Sequence, residues 1–516
     1  MSPPQTTSSA SGCPPAGSDL RLQAHQRLDA LLDFCLADEP TRCFLAFEKA
    51  LLGLLLSLGQ ILVQLFLRHR HERLDLTAWL SRGYHVSDAD APRTLQTAFG
   101  PVAYRRAYLL PPEGHGPGVH PLDAALGLTR DSFSPLLMGW FCRLATRLSF
   151  RLSSELGGMF LGWAPPPSAI EEWVQGLGRP AAVYLSSGPL PANEGEVLVL
   201  EFDGKAAPTA TAQELAKRKG KRRRPAQACP HGCQRHRGRA CRQRRGRKTK
   251  RKKGDKSKNG RSATLVVMYT LRRGDDGRLH GPCNKKVYGT FGSRKKALAW
   301  ARAQATRRGF PPDTTKTVQI VVDGELCLEQ RLRPLFPRAI MTLDVRHAQE
   351  KLWQVGRLFH AEGSGELAAW VEPLETLLYQ GEVAQLLERL GQELGRVARR
   401  GPGTKARRKK LSDVIEYLGK RQGMMAYGQW RKQDLVIASG VVEGAARYVV
   451  GERLDNSGMR WVEARAEAVL LLRCIEVNGD WDDFWDWAER QRRVELSQGL
   501  AVQIRSKVPT QLPEAA

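Results

Sequence analysis

The stretch EVLVLEFDG, residues 196–204, decides the fold that the sequence predicts. Before it the hydrophobic residues recur at helical spacing, whereas here they form a nearly continuous β run. The run ends at an aspartate followed by a glycine, Asp203-Gly204. An Asp-Gly pair is also the commonest hairpin signal. Taken alone, Asp203 therefore marks a turn as readily as it marks a functional acid.

Further strands and helices follow this run in a regular order. The strands ATLVVMYTLRR and KKVYGTFG are followed by a helix over 293–310 and by a fourth strand, KTVQIVVDGE, which ends at Asp323. After a short helix, RAIMTLD predicts a fifth strand ending at Asp344, and Val345–Phe359 is again helical. The order β-β-β-α-β-α-β-α predicts an α/β fold with a mixed (α+β) sheet and helices on its faces.

The chain of 516 residues is too long for one ordinary core, so we expect about two to four domains. Residues 21–180 are mainly helical, with a strand or hairpin at 97–110. Two helices at 153–163 and 168–178 fit a DNA-binding helix-turn-helix or a plain packed pair, and we assign the region to DNA binding. The other predicted segments are a disordered start at 1–20, the sheet region at 195–345 with a basic insertion at 205–262, a helical insertion at 360–432, closing helices at 433–490 and a tail at 491–516.

The excess of basic residues indicates a polyanionic partner. The chain has 80 Lys and Arg against 53 Asp and Glu, a formal net charge of +27, which favours DNA over a membrane. The apolar run Ala50–Leu67 is about as long as a short membrane span, but its Ser57, Gln60 and Gln64 favour a buried or subunit-packing helix. Ten cysteines without a visible signal peptide favour a reducing, cytoplasmic location.

The densest basic stretch lies inside the 205–262 insertion. Between Lys217 and Arg261 about half of the residues are Lys or Arg. Such a density repels itself in isolation and can neutralise phosphates. We expect DNA contacts from its basic clusters, Arg222, Arg223, Arg224, Arg251, Lys252 and Lys253.

Four possible zinc ligands lie in the same insertion. The spacing C-x3-C-x2-H-x4-C relates Cys229, Cys233, His236 and Cys241. These are ligand types that zinc prefers, at compact spacing. The spacing matches no specific motif, however, and His231 is a competing ligand. A zinc site and a loop with reduced thiols both stay open.

Three acids form a set that is more specific than any one of them. Asp203 and Asp323 leave strands of a mixed sheet, whose ends gather side chains at one edge, and Glu443 opens a later helix that can point there. Three carboxylates repel one another unless cations lie between them. Two Mg²⁺ or Mn²⁺ ions would neutralise them and clamp an in-line phosphoryl displacement. We therefore predict all three as catalytic and metal-binding residues, although Glu443 alone is an ordinary helix-start residue.

The segment around Glu443 carries a more specific pattern. Residues 439–443 read Ser-Gly-Val-Val-Glu, and residues 458–461 read Gly-Met-Arg-Trp. Both resemble motifs of the Kra-type family of bacterial insertion-sequence transposases. With the order of strands and the helical stretch before the glutamate, the chain resembles the RNase H-like DDE transposases, in particular their Mutator-like group.

This resemblance implies a DNA transposase that binds element ends, cuts DNA with divalent metal and joins 3′ ends to target DNA. It also implies a homo-oligomer, at least a dimer, near the nucleoid of a bacterial cytoplasm. Asp344 and His347 match an Asp-x-x-His pair of such enzymes. Three roles stay open for Asp344: it orients the site, it starts a helix, or it replaces Asp323 as the second catalytic acid. We assign Asp323 as the second catalytic acid.

Basic and aromatic residues flank Glu443. We expect DNA contacts from Arg447, Arg453, Arg460 and Trp461. A plain ion pair between Glu443 and Arg447 and a buried Trp461 are the alternatives. For the whole chain, the alternatives are a catalytically inert or domesticated nucleic-acid-binding protein and a plain RNase H-like nuclease.

Overall fold

The structure is a computed structural model, and it describes residues 17–37, 43–112, 117–213, 260–456 and 459–498. The chain divides into two compact units. The first combines Met1–Leu177 with Trp481–Ala516, and the second is Gly178–Asp480. The last segment of the chain therefore completes the unit with which the chain begins.

The first unit consists of helices and one β-hairpin. Its helices before the junction are α1 (Gly17–Leu36), α2 (Phe44–Glu72), α3 (Thr77–Leu80), α4 (Pro121–Leu126), α5 (Pro135–Arg147), α6 (Phe150–Leu161) and α7 (Pro167–Gly176). The strand or hairpin predicted at 97–110 is the turn and second strand of a longer antiparallel hairpin, β1 (His85–Thr97) and β2 (Gly100–Leu110), whose first strand lies before the predicted range. Helix α1 begins at Gly17, so the disordered start predicted for 1–20 is wrong at its last residues. DNA binding by this region stays a prediction.

A buried carboxylate holds the hairpin to helix α4. Asp123 accepts hydrogen bonds from Arg93 Nη1 at 2.8 Å, from Arg106 Nε at 2.6 Å and from the Tyr104 hydroxyl at 2.6 Å. The two guanidinium charges are thereby paired with the Asp123 carboxylate in a largely buried position. The neighbouring apolar cluster consists of Leu67, Leu95, Val102, Tyr104, Leu122 and Leu128.

Removing this carboxylate should loosen the hairpin. We expect Asp123→Ala to lower the free energy of hairpin opening by about 3–5 kcal/mol, because two largely buried guanidinium groups lose their counter-ion. Native-state hydrogen exchange of the amides of β1 and β2 measures this energy. Asp90→Ala is the matched control, since its ion pair with Arg105 is half-exposed and should contribute at most about 1 kcal/mol. Equal effects of the two substitutions would contradict the assignment.

Helix α2 has a long apolar surface that the chain leaves exposed. Gly59 and Leu67 are its only buried residues, and Phe44, Leu52 and Leu62 are among its exposed side chains. A helix buried within the chain is therefore a wrong expectation, and packing against another subunit stays a prediction. Of the helices described, α2 alone is long and apolar enough to cross a membrane, a test that core helices and signal sequences also pass.

The second unit is built around a mixed sheet. Its strands are β3 (Val197–Ala207), β4 (Arg261–Arg273), β5 (Leu279–Thr290), β6 (Val318–Val322) and β7 (Ile340–Leu343), in the spatial order β5-β4-β3-β6-β7. Strand β4 pairs antiparallel with β3 and β5, whereas β6 pairs parallel with β3 and with β7. The helices that precede, separate or follow these strands along the chain are α8 (Gly178–Ser187), α9 (Arg294–Arg307), α10 (Leu326–Leu335) and α11 (Val345–Gly356). The predicted α/β class and order of elements are confirmed.

The central strands are buried, which explains why they are recognisable in the sequence. All five residues of β6 and the first six of β3 are buried. Strands covered on both faces read as continuous apolar runs. Strand β3 does not end at Asp203, however, but continues to Ala207 along β4. Its predicted end is therefore too early, and no hairpin turn lies at Asp203.

The segment 360–432, predicted to be a helical insertion, is helical. It contains α12 (Gly365–Gln380), α13 (Val383–Arg396), α14 (Thr404–Gly419) and α15 (Tyr427–Lys432). After it, α16 (Gly440–Ala445) continues directly into a π-helical segment, Ala446–Asp455. Helix α17 (Glu463–Val477) follows and packs on β5 and α8. The chain thus returns to the sheet after the insertion.

The last helix, α18 (Trp481–Ser497), belongs to the first unit. It packs on α4 and α5, and a Cβ added at Gly139 of α5 would lie 2.9 Å from the Trp485 ring. The C-terminal boundary of the closing region predicted at 433–490 is therefore wrong, because residues 481–490 belong to the first unit. The tail predicted from 491 begins inside this helix.

Candidate active site

Strand pairing aligns the residues that precede Asp203, Asp323 and Asp344, the three aspartates considered for the site. Glu201 of β3 pairs with Val321 of β6, and Val321 pairs with Thr342 of β7. Two residues further along each chain segment come the acids Asp203, Asp323 and Asp344. Asp203 lies within β3, whereas Asp323 and Asp344 directly follow the last residues of β6 and β7. The backbone register therefore brings the three acids to the same edge of the sheet, at the ends of parallel segments.

Asp203 and Asp323 are both half-buried, and neither forms an ion pair within the described ranges. Asp203 Oδ1 accepts the N–H of Gly204 at 2.6 Å. Asp323 Oδ1 accepts the N–H of Glu325 at 2.9 Å, across a turn. The turn requires Gly324, whose φ is +83°. Each aspartate thus has one carboxylate oxygen hydrogen-bonded to a backbone N–H, while its other oxygen accepts no hydrogen bond from a described residue.

Asp344 is fully buried, and neighbouring groups form hydrogen bonds with both oxygens of its carboxylate. Oδ1 accepts the N–H of Arg346 at 2.9 Å, while Oδ2 lies 2.9 Å from His347 Nδ1 and accepts the Ser439 hydroxyl. Burial alone would raise the pKa of Asp344, but these hydrogen bonds hold the pKa below its usual value. The hydrogen bond to Asp344 in turn raises the pKa of His347, against the effect of burial. Asp344 therefore caps the start of α11 and connects it to residue 439.

Glu443 lies exposed on α16, a short helix that is anchored at its start. The preceding residue, Val442, donates its N–H to Glu201 Oε2 at 2.8 Å. Ser439 occupies the N-cap position without making a side-chain cap bond, and its hydroxyl donates to Asp344 Oδ2 instead. Acids from β3 and from the end of β7 thereby hold the helix that carries Glu443.

Glu201 is a buried acid that the sequence reasoning missed. It precedes Asp203 by two residues on β3, is 0% exposed, and its Oε1 accepts the Tyr269 hydroxyl at 2.7 Å. Burial, together with the charges of Asp344 and Glu443, raises its pKa to about 7 despite the two hydrogen bonds that lower it. A glutamate inside the apolar run VLVLEF was the available signal, since charged residues are rarely buried without partners.

The hydrogen bond from Glu201 to α16 should be measurable as protection of one amide. We expect Glu201→Ala to accelerate hydrogen exchange of the Val442 amide and to destabilise the second unit, by about 1–3 kcal/mol for each buried group left unpaired. Glu467→Ala is the matched control, because Glu467 accepts analogous hydrogen bonds from Thr290 Oγ1 and the N–H of Phe291. The control should lose stability without a selective effect at Val442. Unchanged Val442 protection in Glu201→Ala would refute the anchoring role.

The four residues predicted to flank Glu443 on DNA divide into two exposed and two buried side chains. Arg447 and Arg460 are exposed. Arg453 is 1% exposed, with its guanidinium 4.8 Å from the centre of the Trp461 ring. Trp461 is 3% exposed and donates its Nε1–H to the carbonyl of Leu454 at 3.0 Å. DNA contacts by Arg453 and Trp461 are therefore wrong expectations, and the buried alternative holds for Trp461.

Other predicted site residues fall outside the described ranges. They are the basic residues Arg222, Arg223, Arg224, Arg251, Lys252 and Lys253, the possible zinc ligands Cys229, Cys233, His236 and Cys241, and Gly458 of the GMRW motif. Their roles stay predictions.

Comparison with known proteins adds no family assignment. The sequence matches no family model, and no curated protein matches it. Among the residues that the structure describes, no group of three His, Cys, Asp or Glu side chains is arranged to hold a metal ion. The features of this chain that bear on its function are therefore the placement of the acids and the sequence context of Glu443.

Proposed function

We propose that this chain is a DNA transposase with an RNase H-like core, of the DDE class and similar to the Kra-type insertion-sequence family. The observation that carries the proposal is the parallel register that pairs Glu201 with Val321, because Asp203 and Asp323 each follow two residues later at the same edge of the sheet. The hydrogen bond between Glu201 and Val442 supports it, because it ties the helix of Glu443 to the same strand. Three antiparallel strands followed by two strands parallel to the first also fit such a core.

The chemistry of the three carboxylates fits divalent cations such as Mg²⁺ or Mn²⁺. Hard cations take oxygen ligands, and no described Lys or Arg forms an ion pair with Asp203, Asp323 or Glu443. In a chain with 80 Lys and Arg, such acids are available to a metal ion. Because these side chains form no ready-made group, they must turn toward a common point on binding. When bound, two ions would neutralise the acids and polarise a phosphodiester.

The residues of the chain act in this proposal by binding and orientation. A water or a 3′ hydroxyl forms a bond to phosphorus while the bond from phosphorus to the leaving 3′ oxygen breaks, without a covalent enzyme intermediate. Asp344 stays outside the reaction and holds α11 and Ser439 in place. The exposed Arg447 and Arg460 bind DNA phosphates. Joining two element ends requires more than one site, so we expect at least a dimer.

Replacement of any of the three acids should abolish DNA cleavage but not DNA binding. We expect Asp203→Asn, Asp323→Asn and Glu443→Gln each to lower Mg²⁺-dependent nicking and strand transfer by more than about a hundredfold, because each removes a ligand charge. The substrate is a supercoiled plasmid carrying the DNA that flanks the gene. The matched control is Asp275→Asn, an exposed aspartate between β4 and β5, which should leave both reactions unchanged.

The outcomes of this assay separate the candidate functions. Full nicking by one of the three variants would exclude that residue from the catalytic set. Cutting without joining of 3′ ends would favour a plain RNase H-like nuclease. Binding without metal-dependent cutting would favour a catalytically inert nucleic-acid-binding protein.

Asp323 and Asp344 should respond differently to the same substitution. Asp323→Asn alters a half-buried side chain, so we expect an unchanged thermal midpoint and no nicking. Asp344→Asn disturbs a buried carboxylate with three hydrogen bonds, so we expect a loss of about 1–3 kcal/mol of stability in thermal or urea unfolding. An Asp344→Asn protein that is as stable as the wild type and inactive, beside an active Asp323→Asn, would make Asp344 the second acid.

A further inference from the structure

The exposed residues after Glu443 form one continuous stripe. Along α16 and the π-helical segment Ala446–Asp455, the exposed side chains are Glu443, Arg447, Tyr448 and Glu452. The residues between them are buried or half-buried, and the segment packs on β3. A spacing of four, one and four residues keeps the stripe on one face of this helix, which continues from α-helical into π-helical geometry. Arg447 and Tyr448 therefore share a surface with the proposed catalytic glutamate.

A buried arginine fixes the backbone of this stripe. Arg473 of α17 is 4% exposed and donates from Nε to the carbonyl of Val449 at 3.0 Å. Its Nη2 donates to the carbonyl of Tyr448. A π-helical segment is rare and is frequently found at functional sites. Here a guanidinium holds the carbonyls from inside, so the side chain of Tyr448 is presented outward from an anchored backbone.

Tyr448 differs from the other aromatic residues of its unit. It is 52% exposed, whereas every other described Phe, Tyr or Trp between 178 and 480 is buried or half-buried. Its neighbour Arg447 forms no ion pair with any described residue, Glu443 included. An exposed ring beside an unpaired guanidinium in a basic chain suits a strand of nucleic acid, since bases stack on aromatic rings and phosphates bind arginine.

We propose that Tyr448 stacks on an unpaired DNA base and that Arg447 binds a neighbouring phosphate, so that the strand end lies beside Glu443. This inference rests on the proposed function and assigns part of its DNA-binding surface. Trp461, the aromatic residue for which the sequence predicts DNA contact, is buried. Tyr448 provides an exposed ring on the stripe of Glu443 itself. A protein partner is the competing occupant, and the test below distinguishes it.

The test measures DNA binding by the full chain without divalent metal, so that it does not depend on cleavage. The probe is a mixed-sequence single strand that carries 2-aminopurine, whose fluorescence is quenched by stacking. We expect Tyr448→Ala to bind about 5- to 150-fold more weakly and to lose the quenching, and Tyr448→Phe to behave as the wild type. Arg447→Ala should reduce the slope of log affinity against log salt by about one, whereas Tyr448→Ala should not. Val183→Ala, an exposed apolar residue of α8, is the matched control.

Wild-type affinity and quenching in Tyr448→Ala would overturn the inference, as would an equal loss in Val183→Ala. Intact DNA binding together with a changed oligomeric state of Tyr448→Ala would favour a protein partner and also overturn it. The two proposals fail separately. Tyr448-dependent DNA binding without strand transfer would contradict the transposase alone, whereas strand transfer with a neutral Tyr448→Ala would contradict the stacking alone.

Discussion

The buried carboxylate of Glu201 is the constraint on which the candidate site depends. A carboxylate taken out of water inside a sheet needs hydrogen-bond donors, because an unpaired buried charge is strongly destabilising. Here the donors are the Tyr269 hydroxyl on the neighbouring strand and the backbone N–H of Val442 on α16. The start of α16 must therefore lie over β3. Since Glu443 is the next residue, its place relative to Asp203 follows from an interaction that neither residue makes.

The acids around this site divide into two kinds with different physical roles. Glu201 and Asp344 are buried, both oxygens of each carboxylate are hydrogen-bonded, and they connect strands to helices. Asp203, Asp323 and Glu443 are half-buried or exposed and form no ion pair within the described chain. Such a division lets the framework keep its shape while the accessible carboxylates change partners. In the proposed function, the net positive charge of the chain would attract the phosphate backbone that these acids alone would repel.

The sequence predicted those features that are local or periodic. All of β6 and the first six residues of β3 are buried, so both read as continuous apolar runs in the sequence. The turn at Asp323 uses a glycine with positive φ, which the Asp-Gly pair indicates. The partner of Glu201 could not be predicted, because Val442 lies 241 residues away along the chain. Burial of Arg453 and Trp461 likewise depends on packing against distant segments. The π-helical segment has no simple hydrophobic period, and the membership of α18 in the first unit is a long-range contact.

The return of α18 to the first unit has a consequence for biosynthesis. A ribosome releases the residues of Gly178–Asp480 before it releases Trp481–Ser497. Domains generally fold as units while synthesis proceeds from the N-terminus. The sheet-containing unit therefore has all its segments available while α4 and α5 still lack the helix that packs on them. The N-terminal unit is consequently the last to be completed, and the surfaces of α4 and α5 that α18 covers stay uncovered until this helix has been synthesised.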